Sequence, residues 1–236
     1  MADNERSLAG RPIYRYTESK SGKAAPVDLA ARKKISEHIE AHAGPIDGVL
    51  HEIVSDVVHI DVNFVPPDQT KPDPSWLLVT SGMSDRPMKA PEGNEDWQYA
   101  ELLMHLPADW PVNDEAFSDD RHYWPVEWLK RLARLPHEYD TWLSWGHTVP
   151  NGDPPEPLSP ETQMCCMLLL HPLLLAEQIY TLEAAPGKII HFFQVIPVYR
   201  EEMQLTLDKG TDAFIERFGS LTGNDLMNFS RQNLGV

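Results

Sequence analysis

From Trp76 to Thr80 the chain reads Trp-Leu-Leu-Val-Thr, and it then breaks at once into Ser81-Gly82-Met83-Ser84-Asp85-Arg86-Pro87-Met88. An unbroken apolar and β-branched run of this length suits a strand covered on both faces. The residues that follow cannot prolong it, because serine, glycine, aspartate and proline each favour a turn for a different physical reason. The combination calls for a sheet buried between other layers, with a polar turn delivered to its edge. Loops held on such rigid supports are common places for function.

Two readings compete for that turn. Gly82-Met83-Ser84 imitates the first half of the Gly-x-Ser-x-Gly elbow, in which a strand ends and a serine is lifted to the tip of a strained turn. Arg86 stands where the second glycine belongs, however, and Pro87 follows where the elbow's helix would be forming hydrogen bonds. A hydrolase built on Ser84 with His191 or His171 is therefore the weaker reading. The stronger is a structural turn in which Gly82 supplies a positive φ and the side chains of Ser84 and Asp85 accept bonds from backbone N–H groups.

At 236 residues the chain can bury a substantial core, and no linker divides it. A content of 42% hydrophobic and 24% charged residues is that of an ordinary globular protein, with no run long enough to cross a bilayer. The start, Met1 to Pro26, lacks the apolar stretch of a secretory signal, which places the protein in the cytoplasm. Cys165 and Cys166 are adjacent, a spacing unsuited to an ordinary bridge or a Cys-x-x-Cys site, so both are expected to be reduced and packed.

The formal charge of -16 argues against nucleic acid or an anionic membrane as partner and favours a basic one. The acid is concentrated in Glu92, Glu95, Asp96, Glu101, Asp109, Asp114, Glu115, Asp119 and Asp120, with no lysine or arginine between them. Such a stretch reads first as a solvated face.

The segments follow in order. Residues 1–25 hold few large apolar side chains and read as a flexible arm. Pro26 opens a helix whose apolar face includes Val27, Ala31, Ile35 and Ile39 and which stops at Gly44-Pro45. Val49 to Val65 reads as one long strand or two meeting near Ser55-Asp56, and Gln98 to Leu106 as another strand. A helix opens at Trp124-Pro125 and stops at Pro136, and the dense tryptophans beyond it, Trp142 and Trp145, are assigned to packing. Strands are expected over Met164–Leu170 and Lys188–Val195, and helices over Tyr199–Lys209 and Thr211–Phe218, parted by Gly210. Residues 221–236 read as a loose tail. The pattern predicts an α/β (α+β) fold in one domain over 26–220, a mixed β-sheet flanked by helices.

Metal and cofactor signals are weak. His59 and Asp61 would share a strand face, as ligands sometimes do, but no third ligand follows by spacing. The run His51-Glu52-Ile53-Val54-Ser55 lacks the second histidine of the zinc-protease signature. No metal and no cofactor are therefore expected.

Taken together, His51-Glu52-Ile53, Val58-His59-Ile60-Asp61-Val62 and Leu78-Val79-Thr80-Ser81-Gly82-Met83-Ser84-Asp85 resemble the Suppressor of fused domain in its bacterial form. Later segments fit the same pattern in the same order: Ala100-Glu101-Leu102-Leu103-Met104, Leu106-Pro107-Ala108-Asp109-Trp110, Trp145-Gly146-His147-Thr148 and Gln194-Val195-Ile196-Pro197-Val198-Tyr199. The resemblance spans roughly Val27 to Phe218. It implies a mixed-sheet α/β fold that binds proteins and has no catalytic activity. In animals, relatives hold a transcription factor in the cytoplasm; in bacteria, the domain resembles an immunity module encoded beside polymorphic toxins. The second region with which the animal protein closes over its partner peptide is not expected here.

The resulting expectation is a non-catalytic module that sequesters a protein partner, such as a basic toxin, by surface complementarity. Its contact residues are expected to be Met83, Ser84, Asp85 and Met88 in the turn and Glu95, Asp96, Asp119 and Asp120 in the acidic stretch, the methionines serving as adaptable apolar contacts.

Overall fold

The computed structural model of the protein describes residues 5–16, 18, 19, 24–53, 55, 57–219 and 221–236. The run at 76–80 forms β3 (Ser75–Ser81), inside an eight-stranded sheet. On one side β3 pairs antiparallel with β2 (Asp61–Val65), which pairs with β1 (Gly48–Leu50) at the edge. On the other it pairs antiparallel with β4 (Tyr99–Pro107), which runs parallel to β8 (Lys188–Val198). The first half of β8 also takes β7 (Thr181–Ala185) and the second half takes β6 (Cys166–Leu170), with β5 (Thr148–Pro150) beyond. The sheet is mixed and the chain forms one domain, as the pattern predicts.

Consecutive side chains of a strand leave on opposite faces, and this alternation decides where the helices sit. From β8, Phe193 and Val195 enter the core under α2 (Asp120–Glu138), together with Leu78, Leu102 and Met104. Ile190 and Phe192 go to the other face, beneath α1 (Leu29–His42). Further along that face, Ile196 and Val198 meet α3 (Arg200–Lys209) and α4 (Thr211–Phe218). Each large side chain fully buried this way contributes about 1.5–3 kcal/mol. Cys165 and Cys166 are free thiols and buried.

Several boundaries move for identifiable reasons. Helix α1 starts at Leu29 because Asp28, not Pro26, caps it, accepting from the Ala31 N–H at 3.0 Å; Val27 is left exposed. Helix α2 starts a turn before Trp124-Pro125 because Asp119 caps it, accepting from the Arg121 N–H at 2.9 Å. The stretch 49–65 makes two strands separated by ten residues, of which 54 and 56 lie outside the described ones. Strands β5 and β7 are not among those expected from the sequence.

Both ends of the chain touch the body. Of the arm, the Ala9 N–H donates to the Leu207 carbonyl (3.0 Å) and the Tyr16 hydroxyl to Thr141 (2.7 Å); residues 1–4, 17 and 20–23 lie outside the described set. The last residues, expected to trail off, form α5 (Gly223–Met227) and bury Arg231. Among the described residues no helix is long and apolar enough to cross a membrane.

Candidate functional site

The ladder between β3 and β4 ends at Val79 opposite Leu103, and the polar turn begins where the ladder stops. The next N–H on β4, that of Leu102, donates to Thr80 Oγ1 at 2.8 Å. Glu101 then turns its carboxylate inward beneath the turn. It accepts from Thr80 Oγ1 (2.6 Å), from the N–H groups of Gly82 (2.9 Å) and Ser84 (3.0 Å), and from Ser84 Oγ (2.6 Å). Both Glu101 and Ser84 are fully buried. Burial pushes the Glu101 carboxyl above its ordinary range, and the bonds from Ser84, Thr80 and Gly82 oppose that shift.

Beside it lies a second polar cluster. Arg32 of α1 reaches Asp61 (2.6 Å), Asp85 (2.8 Å) and the His59 carbonyl (2.6 Å). Asp61 also accepts from the Glu52 N–H (3.0 Å), and Glu52 accepts from the Ile60 N–H (3.0 Å) while pairing with Arg134 of α2. The 51–61 segment, the turn, α1 and α2 are thereby tied by charge-assisted bonds, which are about twice as strong as neutral ones. Gly82 sits at the centre with φ 121°; a Cβ there would overlap the His59 carbonyl oxygen and lie 2.5 Å from Arg32 Nη2.

This geometry corrects the expectation for the turn. Met83 and Met88 are not surface contacts: Met83 is fully buried in a 3-10 turn over residues 83–85, and Met88, beyond that turn, is buried with its sulfur 3.4 Å from the Leu143 nitrogen. Ser84 and the Asp85 side chain are internal as well, braced by Glu101 and Arg32. What the turn shows to solvent is Arg86, Pro87 and Lys89, beside a cleft of about 420 Å³ that also includes Gln98 and His137.

The hydrolase and metal arrangements do not assemble. No hydrogen bond among the described residues joins Ser84 to a histidine. His191 Nε2 lies 3.0 Å from the Asp96 carbonyl and its ring stacks on Trp97, while His171 stacks on Tyr180. His137 Nε2 faces the Met83 carbonyl at 3.0 Å, and burial pushes that ring down to about 4, so it is neutral at pH 7. Asp61 is engaged by Arg32, and His59 contributes its carbonyl to the same guanidinium. Among the described residues no group of three or more His, Cys, Asp or Glu is placed to hold a metal ion.

The acidic stretch is not one face. Glu92, Glu95 and Asp96 are exposed before β4 begins, and Asp109, Asp114, Glu115 and Asp120 are exposed after it ends. The nine residues of β4, at about 3.3 Å per residue, run between the two groups, with Glu101 buried inside the strand. Asp119 is half-buried as the cap of α2, and its carboxyl is held down at about 2, chiefly by hydrogen bonds from Arg121.

A family model described as Suppressor of fused protein (SUFU) matches residues 56–232, three quarters of the sequence. The chain belongs to the Suppressor of fused family. The chain in "the Sufu-Fu complex crystal structure" superposes with a TM-score of 0.60 at 16% identity, covering 90% of this chain and 93% of that one. The "Crystal structure of Drosophila Suppressor of Fused" superposes with a TM-score of 0.51 at 16% identity, over 75% of this chain and 42% of that one. At such identity the likeness is one of fold. No curated protein matches the chain. The SUFU match runs from the loop before β2 into the tail, so the turn, Glu101 and Arg231 fall within it while Arg32 and Glu52 lie before it.

Proposed function

We propose that this SUFU-family protein is a non-catalytic protein-binding module, a bacterial immunity protein that acts in the cytoplasm by seating on a basic toxin and occluding it. The observation that carries the reading is the division of polar groups. The carboxylates and serine of the turn are consumed by internal bonds, whereas seven carboxylates at the two ends of β4 stand exposed. Family membership supports it, as does the likeness to a structure described as a Sufu–Fu complex.

A net charge of -16 steers a basic protein toward such a surface and raises the rate of encounter, more than the final affinity. Glu95 and Asp96 supply contacts at one end of β4 and Asp120 at the other, while Asp119, named with them from the sequence, holds Arg121 and the start of α2 in place beside Asp120. Steering of this kind weakens as salt shortens the screening length, which is about 8 Å at physiological ionic strength.

Co-expression with the product of any toxin-like reading frame found next to the gene, followed by a pull-down, tests both parts. The wild-type chain is expected to retain the partner, and replacing the exposed Glu95, Asp96 and Asp120 by lysine, with the α2 cap Asp119 left in place, to abolish capture. Undiminished capture by the reversed protein would dismiss the electrostatic account, and no complex with any such product would dismiss the immunity role.

A further inference from the structure

A cavity of about 560 Å³ lies where the turn after β4, the start of α2 and the tail converge. Three of its rings stand nearly perpendicular to one another: Trp110 to Trp124 at 6.3 Å, Trp110 to Phe229 at 5.5 Å, and Trp124 to Phe229 at 4.8 Å between centroids. Trp124 is buried, while Trp110 and Phe229 are only half-buried and accessible from the cavity. Asp109 and Glu161 line the same space and are exposed, and no lysine or arginine lines it.

The chemistry of this lining is selective. The Trp110 Nε1–H is already given to the His122 carbonyl (3.2 Å) and the Thr162 hydroxyl to the Phe229 carbonyl (2.5 Å). The two carboxylates accept hydrogen bonds and donate none, and aromatic faces attract cations within about 6 Å of their centroids. Arg121 lies near Glu161, but its guanidinium is held by Asp119 at 2.6 Å. The volume is within the range of about 300–1,000 Å³ usual for ligand sites.

We propose that this cavity seats an arginine side chain of the basic protein partner, with the guanidinium against the rings and between Asp109 and Glu161. Arginine is favoured over lysine because its planar, weakly hydrated head both stacks on rings and pairs with carboxylates. The proposal rests on the protein-binding reading above and gives it a location, at the Asp109 end of β4.

The probes are an acetylated, amidated Gly-Arg-Gly peptide, its citrulline counterpart, and tetramethylammonium, titrated into isotope-labelled protein while the Trp110 indole N–H resonance is followed. The arginine peptide is expected to give a saturable shift at millimolar concentration, with the citrulline peptide about tenfold weaker, a difference of about 1.4 kcal/mol. Asp109→Asn with Glu161→Gln, two exposed positions, should weaken the arginine peptide by a similar factor and leave the circular dichroism spectrum unchanged. No saturable shift, equal binding of citrulline or of tetramethylammonium, or no effect of the double substitution would each overturn the assignment. If the peptide fails while the co-expressed partner is still captured, the cavity assignment falls and the protein-binding reading stands. A bound peptide with no captured partner gives the reverse.

Discussion

Ser84 donates its hydroxyl hydrogen to Glu101 Oε1 at 2.6 Å, and its backbone N–H reaches the same oxygen at 3.0 Å. One carboxylate therefore grips both polar ends of the residue that the Gly-x-Ser pattern offers as a nucleophile. A serine hydroxyl beside a carboxylate can look like a nucleophile beside its base, but here neither side chain is exposed to solvent. The arrangement secures the end of a strand whose ladder has stopped.

The cost of losing it should follow the number of donors orphaned. Ser84→Ala removes one bond and should cost about 1 kcal/mol, whereas Glu101→Ala leaves the hydroxyls of Thr80 and Ser84 and the N–H groups of Gly82 and Ser84 without their acceptor and should cost about 3 kcal/mol or more. Urea unfolding of the two variants and their double mutant measures this. The double mutant should cost less than the sum, because both substitutions break the same bond. Additive losses, or an unaffected Glu101→Ala, would contradict the role given to Glu101.

Gly82 offers a sharper contrast. Its φ of 121° disfavours any side chain, and an added methyl would run into the His59 carbonyl and the Arg32 guanidinium. Gly187 also has a positive φ, 77°, yet an added Cβ there meets nothing within 4 Å. Gly187→Ala should therefore cost about 1 kcal/mol, from backbone strain alone. Gly82→Ala should cost about 3 kcal/mol or more, because it also separates Arg32 from its partners. Equal unfolding midpoints for the two variants would remove the special status of the turn.

The sequence made the scaffold legible to different degrees in different places. Strand β3 was plain because an apolar run buried on both faces has no other home, and α4 was found at its observed limits, Thr211–Phe218, because Gly210 punctuates it. The inward fold of Met83 and Met88 was not legible, since a turn residue looks the same whether its side chain faces core or water. Glu101 left a usable signal: it sits inside Tyr99–Pro107, among buried apolar neighbours, where a carboxylate must find donors. Arg32 and Arg231 left none, because their partners are set by the crossing of elements far apart in sequence. Phe229 belonged to a stretch read as a loose tail, so the aromatic cavity could not be assembled without the fold.

Stability should fall on the acid side of neutrality. Burial pushes His105, His137 and His147 down from 6.5 to about 4, so the unfolded chain binds protons on these residues that the folded one refuses. The stability they contribute is complete above pH 6.5 and is lost as pH falls toward 4; a fully expressed shift of that size amounts to about 3 kcal/mol for one histidine. Glu101 has the opposite sign. Its raised carboxyl favours the fold at low pH, and that contribution fades as pH rises through its folded value. Urea midpoints should therefore decline between pH 6.5 and 4, and His137→Gln should flatten the decline. An unchanged slope in that variant would show that its ring is not held neutral by burial.

Arg231 and Glu202 provide the test of whether the tail belongs to the fold. Their side chains are 2% and 0% exposed and meet through two bonds, 2.5 and 2.8 Å, while Glu202 also accepts from the N–H groups of Tyr199 and Leu234, each at 2.9 Å. Arg231 lies over the Phe218 and Tyr199 rings as well. Arg231→Met leaves a buried carboxylate without its cation, a loss that typically costs about 3–5 kcal/mol, whereas removing both charges with Glu202→Leu should restore much of it. A tail that merely rested on the surface would show less than about 0.5 kcal/mol for either. Because Met227 and Phe229 precede Arg231 and line the aromatic cavity, the single substitution should also move the Trp110 indole resonance, and the double one should bring it back.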